Sequence, residues 1–436
     1  MEYFDFQKCK AQLDVLDAAG ALALENGCDA AQAGAAYEEL KAALDKCGRT
    51  FRKLYEDAAA SADEPDDYPR ILALCGEARP AKPVGDLHGR IKAALLGRFA
   101  GCVLGAPVEM WDLWNMENMA KSCGMEFPPQ EYWHAVERPW ALAFEHDRRA
   151  LFSLSGMDGC PVDDDVTYVI LSLLIMERYG KDFTTADVGA YWKEHLPIAC
   201  TAELAALNNL KAGVPAERAA LIDNPYAQWI GALIRADGFG YACAGDPRKA
   251  AELAYRDAYL THRRNGIYGE MLFAAAIAAA FAVTDPLDAV RIGLNEIPHT
   301  SALWRDVNWA LETAPSIRDF RHARRTVDEH FPGMSCVHTN NNACMIVFAL
   351  ALGGGDLSKT ITTAVAMGLD NDCTAATCGS LVGACKGLTA VEEKWYKPFH
   401  DRVRTYITGA EELSIDDVAQ RFEKLHRSFF TNVRTA

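Results

Sequence analysis

Two groups of aspartates could do chemistry together. Asp163, Asp164 and Asp165 run consecutively, and Asp370 and Asp372 stand two positions apart within GLDNDCTAAT. An aspartate just ahead of a helix is an ordinary N-cap and complements the positive end of the helix dipole. That accounts for one or two carboxylates per helix but not for three in a row, because adjacent carboxylates repel. If such groups converge, either a cation offsets the repulsion or their pKa values rise. The donors are oxygens, with no His or Cys at zinc spacing and no EF-hand pattern. They point to a hard ion, Mg²⁺ before Mn²⁺ or Ca²⁺.

Each aspartate group precedes a stretch with helical character. Residues 164–179, DDVTYVILSLLIMERY, carry apolar side chains at Val166, Val169, Ile170, Leu173 and Leu174, a helical spacing. Small residues recur at every fourth position in two places: Gly89, Ala93, Gly97, Gly101 and Gly105, then Ala375, Gly379, Gly383 and Gly387. A glycine inside a helix costs roughly 1 kcal/mol against alanine, so something must offset several of them. Close approach of a second backbone is the physical candidate; the alternative is that some lie in loops or caps. If the two helices meet, Glu109 and the Asp370 group converge at their ends.

The remaining chain reads as mainly helical. Residues 269–282 and 342–352 have buried-helix composition, few stretches alternate with period two, and no solenoid repeat stands out. Residues 1–62 read as helices, with Gly48 as a stop. DEPDDYP and ARPAKPVGD read as connectors, so a boundary is placed near residue 84: a helical appendage over 1–84, with packing or dimerisation as its plain role, and a main domain over 85–436. Residues 111–160 read as a loop-rich insertion. In the polar run His338-Thr339-Asn340-Asn341-Asn342, Asn341 or Asn342 is expected to cap the helix that follows, or to hydrogen-bond a base or leaving group.

The formal net charge of -16 argues against general nucleic-acid or anionic-membrane binding through a basic face. No stretch approaches the ~20 uninterrupted apolar residues of a membrane span, and the first ten residues lack a signal-peptide pattern. The 14 cysteines are scattered with no CxxC pair, which fits a reduced, cytoplasmic protein without a structural zinc.

Several segments, taken in order, resemble the ADP-ribosylglycohydrolase family. RIKAALLGRFAGCVLGAPVE at 90–109 is similar to that family's opening R-G-x-x-x-G-x-x-x-G-D-x-x-G-x-P-x-E. DDDVT at 163–167 stands where the family has Thr-Asp-Asp-Thr, and GLDNDCTAATCG at 368–379 resembles Gly-Gly-Asp-Thr-Asp-Thr-x-Ala-Ala. WIGALIRADGFG at 229–240 resembles a G-N-G-x-x-M-R substrate loop, and Thr261-His262 a following Ser-His. The resemblance covers roughly residues 86–410. It implies an all-α fold, an orthogonal helical bundle with a binuclear Mg²⁺ site. The implied metal ligands are Asp163, Asp164, Asp165, Asp370 and Asp372, with Thr374 in reserve. Glu109 is implied as the gating and catalytic glutamate. Gly231, Ala232, Arg235 and His262 are implied around the substrate, and Asn341 is added to them from the polar run. The departures are Asp163 for the first threonine of its motif, Val166 for the last (unless Thr167 serves), Asn371 and Cys373 for two threonines, and Ile230 for the loop asparagine. Cys373 is a poor Mg²⁺ ligand.

On this resemblance the expected reaction is hydrolysis of a ribosyl glycosidic bond through an oxocarbenium-like transition state. Two Mg²⁺ ions, or Mn²⁺, hold the ribose hydroxyls and a water. Glu109 is the first choice to take the water's proton, ahead of Asp164 or Asp165. The expected partner is an ADP-ribosylated protein side chain. A small ribosylated metabolite or nucleoside is the rival within the same chemistry, and a catalytically silent binding relative the rival outside it.

Overall fold

In a computed structural model of the chain, the described residues are 7–57, 62–79, 81–82, 84–134 and 150–430. The middle of the 111–160 insertion therefore lies outside them, as do the first six residues. Among the described residues the architecture is all-α, with a single two-stranded antiparallel ladder near the C-terminal end.

The centre of the fold is a helix pair. Helix Leu87–Gly105 and helix Asn371–Lys386 lie against each other through the small residues singled out above. A Cβ at Gly97 would sit 2.3 Å from the Gly379 carbonyl oxygen, one at Gly101 2.2 Å from that of Ala375, and one at Gly383 2.4 Å from that of Ala93. Main chain thus meets main chain along the seam, which is the gain that offsets the propensity cost of the glycines. At Gly387 the other reading holds, since at φ +77° it terminates its helix, whereas Gly89 lies in the first helical turn, where the atoms nearest an added Cβ belong to the Asp86 side chain. The segment Leu87–Val108 is long and apolar enough to cross a membrane by length and composition, and 89% of its most apolar window is buried inside the fold.

Around this pair pack helix Asp164–Tyr179, the almost wholly buried helix Asn265–Ala280, helix Thr339–Gly353, helix Leu357–Met367 and helix Ile415–Phe430. The ladder pairs Arg402–Arg404 with Glu412–Ser414, and Cys160 bridges to its buried Val403. The Cys160 N–H donates to the Arg402 carbonyl at 2.8 Å, and the Arg404 N–H to the Cys160 carbonyl at 3.1 Å. Residues 158–162 are therefore fixed immediately ahead of the Asp163 triplet.

Helix Gln7–Glu25 and helix Ala30–Asp57 form an N-terminal pair that exposes Val15, Leu16, Leu22 and Leu54. Gly48 does not stop the second of them. RTFRKLYED beyond it continues the helix-forming run, and one internal glycine costs too little to break a helix of this length. The connector that follows is a strap held on the main body. The Tyr268 hydroxyl donates to the Pro65 carbonyl at 2.6 Å, and the Arg264 N–H to Asp66 Oδ1 at 2.8 Å. Ile71 is fully buried, and the Gly76 N–H donates to the Asn295 carbonyl at 2.9 Å.

Candidate metal centre

Three chain segments deliver their carboxylates to one place. Helix Asp164–Tyr179 begins at the first aspartate group, whose leading residue is the N-cap: Asp163 Oδ1 accepts from the Asp165 N–H at 3.0 Å. Helix Asn371–Lys386 begins just after Asp370, and Asp370 makes no side-chain capping bond. Glu109 follows a short 3-10 turn at the end of the glycine helix. The Met110 N–H beside it donates to the Leu369 carbonyl at 3.0 Å, tying that turn to the Asp370 loop. Backbone contact sets the same proximity from the other side, since a Cβ at Gly105 would lie 2.4 Å from Asp372 Cα.

The resulting acidic atoms form overlapping groups, each with its ligand atoms within 4.8 Å of one another: Asp163, Asp164 and Asp165; Glu109, Asp370 and Asp372; Asp165, Asp372 and Cys373. Asp165 belongs to two of these groups and Asp372 to two, so the cluster is continuous. Asp163, Asp164 and Glu109 are partly exposed, whereas Asp165, Asp370 and Asp372 are buried. Asp165 Oδ2, Asp370 Oδ1 and Asp372 Oδ1 are buried without any hydrogen-bond partner. Orphaned buried carboxylate oxygens are costly unless a proton or a cation answers them. Two helix N-termini aim at the cluster and supply part of the compensation.

Protons answer them when no cation does. Burial, followed by the charges of Asp370 and the 163–165 triplet, pushes Glu109 up to about 9. Burial and Asp165 push Asp163 up to about 6. Asp165 is raised to about 7 by burial, against the opposing pull of Arg98. Asp164 and Asp372 rise well above the usual carboxylate range, first through burial and then through their neighbours, and burial raises Asp370.

Arg98 was not singled out from the sequence, yet it holds Asp165. It is fully buried and donates to Asp165 Oδ1 at 2.8 Å, to the Asp165 carbonyl at 2.8 Å and to Asp237 Oδ2 at 2.7 Å. Burial opposes its charge, but the carboxylates of Asp237 and Asp165 raise its pKa overall. The signal available was a single charge inside LLGRFAGC, where every neighbour is apolar or small.

The polar residues expected around the substrate make bonds of their own within the protein. Arg235 is buried and pairs with Glu203 and Asp257, both at 2.5 Å, with Glu270 at 3.4 Å, and with the Thr261 hydroxyl at 2.9 Å. Gly231 backs onto this cluster, where a Cβ would meet Glu203 Oε1 at 2.4 Å, and Ala232 is buried. His262 is buried, and its Nδ1 shares a 2.7 Å hydrogen bond with Thr261 Oγ1. Its pKa falls well below the ordinary value through burial and then through Arg235 and Arg263. Asn341 is buried and donates to the Ser335 carbonyl at 2.8 Å. The cap of its helix is His338, whose Nδ1 accepts from the Asn340 N–H at 3.2 Å, because the helix begins at Thr339, ahead of the asparagines expected to cap it. Thr374 is buried in the first turn, its hydroxyl donating to the Asn371 carbonyl at 3.3 Å.

Comparison with known proteins bears on the family and the fold. A family model described as ADP-ribosylglycohydrolase matches residues 83–428. A solved structure titled "ADP-ribosylglycohydrolase-related protein complex" superposes with a TM-score of 0.51 at 18% identity, over 78% of this chain and 98% of that one. No curated protein matches.

Proposed function

The chain belongs to the ADP-ribosylglycohydrolase family, a family of glycosyl hydrolases, and on that premise we propose that it removes ADP-ribose from a modified protein side chain in a divalent-metal-dependent reaction, with Mg²⁺ or Mn²⁺ as the ion. One observation carries the reading: carboxylates more than 200 positions apart in the sequence share one cluster, with buried oxygens that have no other partner. The donor set fits hard divalent ions. Asp163, Asp164 and Asp165 would hold them from one side, and Asp370 and Asp372 from the other. Divalent ions in such a position polarise bound hydroxyls and lower the pKa of a water.

The chain's own residues do the rest. Arg98 fixes Asp165 so that one of its oxygens faces the cluster. Glu109, partly exposed at the rim, accepts the proton of the attacking water at a carboxylate oxygen. Without a cation Glu109 keeps its own proton at neutral pH, so the metal-free protein lacks its base. The remaining carboxylates favour positive charge developing at the anomeric carbon.

A second reading, cleavage of a small ribosylated metabolite or nucleoside, is favoured by Ile230 in place of the loop asparagine and by the commitment of Arg235 to a buried ion cluster. Elemental analysis together with a panel of ADP-ribosylated peptides and free ribosides tests both. Release of ADP-ribose from peptides, abolished by EDTA and restored by Mg²⁺ or Mn²⁺, is expected. Turnover of ribosides alone would hand the substrate to the second reading, and activity indifferent to EDTA would overturn the metal dependence.

A further inference from the structure

One group in the centre is not made of oxygens alone. Cys373 Sγ lies within 4.8 Å of a carboxylate oxygen of Asp165 and of Asp372. It stands on the first turn of helix Asn371–Lys386, so its direction is fixed by a helix that is packed backbone to backbone on its neighbour. Each of these carboxylates carries an unpartnered oxygen, Asp165 Oδ2 and Asp372 Oδ1, and the two residues are only 0% and 3% exposed. Cys373 itself is 6% exposed. One sulfur and two carboxylates, each with an orphaned oxygen, therefore lie close together in a buried place from which water is largely excluded.

That donor set has a chemical preference. Mg²⁺ binds hard oxygen in octahedral geometry and retains several waters, and a thiol offers it nothing. Zinc-class ions take mixed sulfur and oxygen donors in four-coordinate sites, and the coordinating thiol gives up its proton to solvent as the bond forms. The group formed by Glu109, Asp370 and Asp372, by contrast, is oxygen only.

We propose that the position bounded by Asp165, Asp372 and Cys373 selects a thiophilic divalent ion of the zinc class, leaving the oxygen-only position at Asp370 and Asp372, with Glu109 as the base at its rim, to a hard ion, so that the centre is mixed-metal. The proposal rests on the metal-centre reading given above and sharpens it.

Cobalt reports on it without any substrate. The full-length, metal-free protein is titrated with Co²⁺, and absorption is followed in the near ultraviolet, where thiolate-to-cobalt charge transfer appears. Zn²⁺ and Mg²⁺ are then competed against the bound Co²⁺. Wild type is expected to show the charge-transfer band and to yield it to Zn²⁺ but not to Mg²⁺. Cys373→Ser and Cys373→Thr, which keep a small side chain of similar volume, are expected to bind Co²⁺ without the band. Their preference for Zn²⁺ over Mg²⁺ should fall at least about tenfold, because even outer-shell changes cost ~10–100-fold in metal affinity. Circular dichroism confirms that the variants fold. Bound Co²⁺ with no band in wild type, or a band that survives in Cys373→Ser, overturns the sulfur ligand while leaving the metal centre standing. No Co²⁺, Mg²⁺ or Mn²⁺ binding to wild type overturns the metal-centre reading itself, and this proposal with it.

Discussion

Gly101→Ala is the smallest change that tests how the centre is held. The new Cβ would lie 2.2 Å from the Ala375 carbonyl oxygen and 2.3 Å from its carbon, whereas ordinary contact begins at 3.4 Å. The helices must therefore part by about 1.2 Å at that level, the difference between the first and last of those distances. Alanine raises helix propensity by about 1 kcal/mol. Overpacking typically costs ~1–3 kcal/mol, and a clash with main chain on a buried seam belongs at or above the upper end of that range. The net effect is a loss of about 2 kcal/mol. The displacement also reaches the carboxylates. Asp165 is held by Arg98 on the Leu87–Gly105 helix, and Asp372 rides on the opposing helix, so the two are pulled apart. Metal–oxygen distances tolerate only ~0.2 Å, so the shared site fails well before the fold does. Thermal unfolding with and without Mg²⁺, and calorimetric titration with Mn²⁺, read both effects. Gly34→Ala serves as the control, because nothing lies within 4 Å of its added Cβ. If Gly101→Ala melts no lower than wild type and binds metal as tightly, the backbone seam does not set the geometry of the centre.

Four further outcomes are expected. Glu109→Gln should lower kcat by ~10²–10⁴-fold with melting temperature and metal content unchanged; wild-type turnover would remove Glu109 from the reaction. The metal-free protein should lose stability as pH rises. Asp163, Asp165 and Glu109 have folded pKa values of about 6, 7 and 9, above the ~4 of an unfolded carboxylate, so their stabilisation is complete below ~4 and is lost as pH climbs through 6 to 9. Melting in EDTA across that range checks the sign, and added Mg²⁺ should stabilise most at the alkaline end. Arg235→Met strands the buried carboxylates of Glu203, Asp257 and Glu270 and should cost ~3–5 kcal/mol in urea unfolding, whereas a near-neutral result would mean that they are held by something else. Deleting residues 1–57 should leave the melting temperature of the main body unchanged, and deleting 1–79, which removes Asp66 and the buried Ile71, should lower it; equal effects would deny the strap a structural role.

The helical fold and the convergence of the acidic segments could be read from the chain because both rest on local rules. Apolar spacing marks helix Asp164–Tyr179 to the residue, and small residues at every fourth position announce a close neighbour. Ion pairing inside the core is not local. Arg98 meets Asp237, and Arg235 meets Glu203, Asp257 and Glu270, across tens to more than a hundred positions, and nothing in the sequence links them beyond an isolated charge among apolar residues. Arg235 shows the difficulty: a motif position implied to lie around the substrate is occupied by an arginine whose donors are taken up by buried acids. The helix running on through Gly48 shows another, since a single glycine marks a stop only where the residues beyond it abandon helix formers. The role of Cys373 depends on its distance from Asp165, which no spacing rule supplies.

The bridge between Cys160 and Val403 also has a consequence in time. About 240 residues separate its two sides, so at ~5–20 residues per second the aspartate triplet emerges from the ribosome roughly 10–50 s before the strand that pins it. For most of that interval the second set of carboxylates has yet to be made, since Asp370 follows Asp165 by about 200 residues. Ion capture is thereby postponed to the closing stage of translation, when both halves of the cradle exist at once.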